Sequence, residues 1–128
     1  MIHFTPAEFA RRSQATLAAM AAARLDALLL FDPASHFWLT GYDTFGWCFF
    51  QCLVLRSDGD LVLLTRAPDR LQALQTSLIR DVRIWVDRAD ADPIKDLRAI
   101  LAEKGLAGRR IGVEWDTHGL TYANGERL

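Results

Sequence analysis

The sequence is short of several things at once: two cysteines, four prolines, little charge of either sign in excess, and no apolar run long enough to cross a membrane. Cys48 and Cys52 lie four residues apart in a strand-like run. Their Cα atoms would then be about 13 Å apart, beyond the roughly 7 Å that a disulfide tolerates. Both are expected as buried, reduced thiols, which points to a reducing, cytoplasmic compartment. Fifteen basic and sixteen acidic residues leave a net charge of -1. They are spread along the chain, so no basic stripe is available to neutralise phosphates, and nucleic acid is excluded as a partner. There is no Walker loop and no Gly-x-Gly-x-x-Gly, and the glycines fall mostly at predicted turns and element ends. The apolar stretch from Ala15 to Ala23, behind Arg11 and Arg12, imitates a signal peptide. It follows a helix-starting capping box, Thr5-Pro6-Ala7-Glu8, and is far too short to span a bilayer, so neither a leader nor a membrane segment is expected.

What is present is the composition of one globular domain over residues 1–128, with 51% hydrophobic residues. That is enough to bury a core without disulfides or metal. A first helix is expected from Pro6 to about Ala23, with Phe9, Leu17 and Met20 inward and Arg11, Arg12 and Gln14 mostly outside. Asp26 to Phe31 reads as a central strand covered on both faces. Asp32-Pro33 opens a short helical turn over Ala34 to Leu39, ending near Gly41. Trp47 to Leu55 and Leu61 to Thr65, joined by Ser57-Asp58-Gly59-Asp60, read as an antiparallel hairpin. A helix from Pro68, a strand at Val82 to Val86, a helix from Asp92-Pro93 to Gly105 and a strand at Arg110 to Trp115 follow. Three successive strands and then alternating helix and strand predict an α/β fold with three α/β/α layers and a five-stranded mixed sheet. Leu120 to Asn124 reads as the start of another helix, cut short at Leu128 as a boundary between domains would cut it.

No catalytic set is complete. Glu114, Asp116 and His118 alternate on one side of an extended strand, but about 6.6 Å between them is long for shared ligation. They are read instead as a strand end, with Asp116 or Thr117 capping the next turn and His118 at the surface. His36, beside Phe37 and Trp38, is a candidate substrate-binding imidazole, and Asp32 stands where open α/β sheets place their sites.

The segment from Phe37 to Phe50 differs in kind, because it holds seven of the chain's thirteen aromatic residues within fourteen positions. Phe37, Trp38, Phe49 and Phe50 are expected to pack locally. The loop from Tyr42 to Trp47 is expected at the surface, as a face for a ligand or another protein.

Two stretches resemble the N-terminal domain of the creatinase, prolidase and Xaa-Pro aminopeptidase enzymes: FDPASHFWLTGYDTFGWCFFQCLVL from Phe31 to Leu55, and RRIGVEWD from Arg109 to Asp116. The resemblance implies a sheet of ribonuclease H-like topology. It also implies that the chemistry belongs to a C-terminal catalytic domain absent here, where two divalent ions (Mn, Co or Zn) serve hydrolysis of a C–N bond. No metal and no other cofactor is expected on this chain. Implied partners are that catalytic domain, a second subunit in a homodimer, and a small peptide or cyclic amide substrate. By resemblance to creatinase, whose matching loop reads Phe-Gly-Arg, Phe45 is a candidate substrate contact made across the dimer. Trp47 stands where the arginine would be and cannot pair with a carboxylate, which argues against creatine. Tyr42 and His36 complete the candidate set. A free-standing binding module using the loop Tyr42–Trp47 is the alternative.

Overall fold

The computed structural model describes residues 3–128. Helix α1 (Pro6–Ala22) starts where Thr5 accepts the Glu8 backbone N–H at 3.2 Å. The reciprocal half of the capping box is not made. Glu8 turns its carboxylate to Arg11 and Arg12 instead, and these charge-assisted hydrogen bonds hold its pKa down at about 2. Arg12 corrects the expected outer face: it is buried, its guanidinium lying 4.0 Å from the Phe4 ring centroid and donating to the Trp38 carbonyl at 2.9 Å. A long basic side chain can bury its stem and satisfy its head locally, which periodicity does not reveal.

Strand β1 (Ala27–Leu30) leads to helix α2 (Pro33–Thr40), capped by Asp32 at its start and closed by Gly41 at φ 81°. Strands β2 (Cys52–Arg56) and β3 (Leu61–Arg66) form the expected hairpin. Helix α3 (Ala67–Thr76), strand β4 (Asp81–Trp85), helix α4 (Pro93–Glu103), strand β5 (Ile111–Val113) and the short helix α5 (Tyr122–Gly125) complete the chain. The five-stranded mixed sheet has the order β4-β3-β2-β1-β5, and β2 alone runs against the other four. The second strand is shorter than its apolar run: Gly46–Cys48 form a 3-10 turn, and pairing begins only at Cys52.

Alternation along the strands builds two cores. Leu29, Cys52, Val54, Val62 and Leu64 face Ile94, Leu97 and Ile100 of α4. On the other side Leu30, Leu53, Leu55 and Leu63 meet Met20 of α1, Leu39 of α2 and Ala73 of α3. Each fully buried leucine contributes about 2 kcal/mol. Because β1, β3, β4 and β5 run the same way, their C-terminal ends share one end of the sheet. The loop feeding β2 arrives at that same end.

Candidate functional site

The loop between Gly41 and Cys52 sends alternate residues in and out. Tyr42, Thr44 and Gly46 are buried, whereas Phe45 is 91% exposed and Trp47 63% exposed. Phe50 turns inward again, edge-on to Phe31 at 5.8 Å between centroids, and its carbonyl accepts the Trp85 indole N–H at 2.9 Å. The inward side chains meet a buried polar group at the start of α3. Thr44 donates to Asp69 Oδ1 at 3.1 Å and accepts the Gly46 N–H at 2.8 Å and the Gln51 amide at 3.3 Å. A Cβ on Gly46 would stand 2.7 Å from both Asp69 oxygens and 2.5 Å from Gln51 Nε2, so a side chain there forces a shift. On the outer flank the Arg66 guanidinium carbon lies 3.2 Å from the Phe49 ring centroid, a cation-π contact, and Arg66 pairs with Asp87 at 3.4 Å.

Two candidates prove to be interior. Tyr42 and His36 are fully buried. The hydroxyl of Tyr42 ends near Thr44, Thr65 and Gln51, and burial raises its pKa. His36 bonds the Leu30 carbonyl through Nε2 at 2.9 Å and stacks at 26° on Tyr42, with centroids 6.1 Å apart. Loops carry inward anchors as well as outward side chains, and the alternation of Tyr42, Thr44 and Gly46 with Asp43, Phe45 and Trp47 was the available signal. The expected local packing of Trp38 and Phe49 is also incomplete, since both are exposed. Cys48 is an exposed free thiol and only Cys52 is buried, because the 3-10 turn rotates Cys48 out of the strand pattern.

A cleft of about 250 Å³ separates the loop residues Trp47 to Phe50 from His118, Gly119, Thr121 and Asn124. His118 is exposed there, and the turn before it is held by Thr117, which accepts the Gly119 N–H at 3.0 Å and donates to Asp32 at 3.3 Å. Glu114 is not part of a metal cluster. Its two oxygens accept hydrogen bonds from the Phe31 and Asp32 amides and the Ser35 hydroxyl. Among the described residues no group of three or more His, Cys, Asp or Glu could hold a metal ion. Among the described residues no helix is long and apolar enough to cross a membrane.

Residues 12–128 match the family model of the Creatinase/Prolidase N-terminal domain, and the chain belongs to that family. It is 33% identical over 124 residues to the ectoine hydrolase of Halomonas elongata, covering 90% of this chain and 31% of that protein. The chain thus spans about a third of the length of the curated relatives it matches. Among solved structures it is similar to a proline dipeptidase from Streptococcus pneumoniae, at 23% identity and TM-score 0.74, covering 91% of this chain and 81% of that one. It is also similar to the N-terminal domain of the cytoplasmic peptidase PepQ from Mycobacterium tuberculosis, at 27% identity and TM-score 0.68, covering 92% and 81%.

Proposed function

We propose that this domain is the non-catalytic, N-terminal part of a cytoplasmic, metal-dependent C–N hydrolase resembling Xaa-Pro dipeptidase. It joins two subunits and lends its aromatic loop to the substrate mouth of the neighbour. The observation that carries this reading is the exposure of Phe45 and Trp47 on a loop anchored from within by its buried neighbours Tyr42, Thr44 and Gly46. Large aromatic side chains held in water at a loop tip are the usual anchors of a partner surface. Here they also offer flat walls to a small ring. Trp47 brings no cation, so the substrate's carboxylate is bound elsewhere and creatine is disfavoured. A dipeptide ending in proline or a cyclic amide suits the aromatic wall. Similarity to ectoine hydrolase supports including ectoine among the cyclic substrates tested.

The decisive experiment uses the longer protein and mixed dimers. Subunits carrying Phe45→Ala, paired with subunits inactivated in their catalytic domain, should regain activity, because one of the two sites then has both an intact catalytic domain and an intact Phe45 from its neighbour. Assays against Xaa-Pro dipeptides, ectoine and creatine identify the substrate. If the mixed dimers stay as inactive as either parent, or the protein is monomeric and active, the reading fails.

A further inference from the structure

Asp69 is 5% exposed, in the first turn of α3, and the hydroxyl on its Oδ1 comes from the aromatic loop. Oδ1 accepts the Thr44 hydroxyl at 3.1 Å. That hydroxyl has one proton to give and two lone pairs, and all are used: it also accepts the Gly46 N–H and the Gln51 amide. Thr65 Oγ1 faces Oδ2 at 3.5 Å, and Arg66 Nε stands 3.9 Å away without a hydrogen bond of its own. Gly46 packs beside the carboxylate, where an added Cβ would come within 2.7 Å of both Asp69 oxygens. Burying a carboxylate is costly unless it is bonded, so the shape of the loop and the burial of Asp69 stabilise each other. Gly46 lies between Phe45 and Trp47, and fixing its backbone fixes the direction of both exposed rings.

We propose that Asp69 is the positioning residue of the aromatic loop, holding Phe45 and Trp47 outward in one preformed geometry. The loop is then a rigid prong and not a mobile lid. What the prong meets rests on the reading above; its rigidity does not. A prong fixed in advance loses little conformational freedom on docking and suits a pre-shaped apolar recess on a partner protein.

Backbone ¹⁵N relaxation on the 128-residue chain tests this directly. Order parameters for residues 44–48 should be about 0.85 in the native chain and fall below about 0.6 in Asp69→Ala, with the amides of β1 and β3 unchanged. Asp69→Asn keeps an oxygen for Thr44 and should restore order. Should Asp69→Ala fail to fold, Thr44→Val breaks the same link and should loosen the same residues. A loop already mobile in the native chain, or equally ordered in both Asp69→Ala and Thr44→Val, overturns the proposal. In the longer enzyme Asp69→Ala should raise KM roughly tenfold or more, with kcat little changed and Asp69→Asn recovering the loss. A loop that loosens while KM holds supports the positioning role and counts against the substrate-side reading alone.

Discussion

Glu114, just beyond β5, holds the backbone of Asp32 across the sheet: its Oε2 accepts the Asp32 N–H at 2.8 Å and, at the same distance, the N–H of Phe31. Its Oε1 accepts the Ser35 hydroxyl at 2.5 Å. One carboxylate therefore ties the end of β5 to the turn that starts α2, while Asp32 caps that helix through Ala34. Hydrogen bonds to a charged group contribute about 1.5–3 kcal/mol each, and at this part-buried site water takes over some of the freed donors when the carboxylate is removed. Glu114→Ala should destabilise the domain by about 3 kcal/mol, with Glu114→Gln less severe. Urea denaturation of the two variants checks the order, and a loss under about 1 kcal/mol for Glu114→Ala would remove this role.

The pH dependence of stability should carry the mark of His36. Burial lowers its pKa below the ordinary value, only partly offset by the Leu30 carbonyl, Glu114 and Asp32. The unfolded chain therefore takes up this proton first as pH falls. Stability is fully present above about pH 6.5 and declines below it, down to the folded-state pKa. His36→Gln preserves a donor near the Leu30 carbonyl and removes the titration. Between pH 7.5 and 5 its stability should fall less steeply than that of the native protein, as measured by urea midpoints.

The cysteines should differ in reactivity. Cys48 is exposed, whereas burial and then the nearby Glu114 raise the Cys52 pKa well above that of an ordinary thiol. Thiolate is the reactive form, so a thiol reagent should label Cys48 within minutes and spare Cys52 until the chain is unfolded. Mass spectrometry of the singly labelled native protein identifies the site.

Gly119 cannot be replaced without moving backbone, because a Cβ there would collide with the Phe31 carbonyl at the end of β1. Gly119→Ala should cost about 1–3 kcal/mol and displace the turn bearing His118. Gly105, which has open space around it and φ 72°, should lose only about 1 kcal/mol as alanine. Thermal melts of the pair distinguish packing from backbone conformation.

Much of the fold is legible along the chain. The caps at Thr5, Asp32 and Asp92, the turn at Gly59 and the double-faced strands place nearly every element. Element ends were less legible. The apolar run from Trp47 reads as strand, yet Gly46–Cys48 turn and only Cys52 onward finds a partner in β3, since pairing depends on the neighbour. Of the site, the aromatic richness and the exposure of Phe45 and Trp47 were foreseeable; the depth of Tyr42 left only the alternation along the loop as a sign, and that of His36 left none.

By itself, then, the sequence determined the layers, the mixed sheet and the family, because these follow from local periodicity, capping and ordered motifs. The tertiary structure alone decided which polar residues serve as anchors. A linear reading puts Arg12 on the outer face, sees only a strand end in Glu114 and does not single out Asp69. Each is held in place by partners at least 25 residues away: Trp38 for Arg12, Thr44 for Asp69, and Asp32 for Glu114. Burial of charge depends on satisfaction in three dimensions, and hydrogen-bond partners distant in the chain leave no periodic trace.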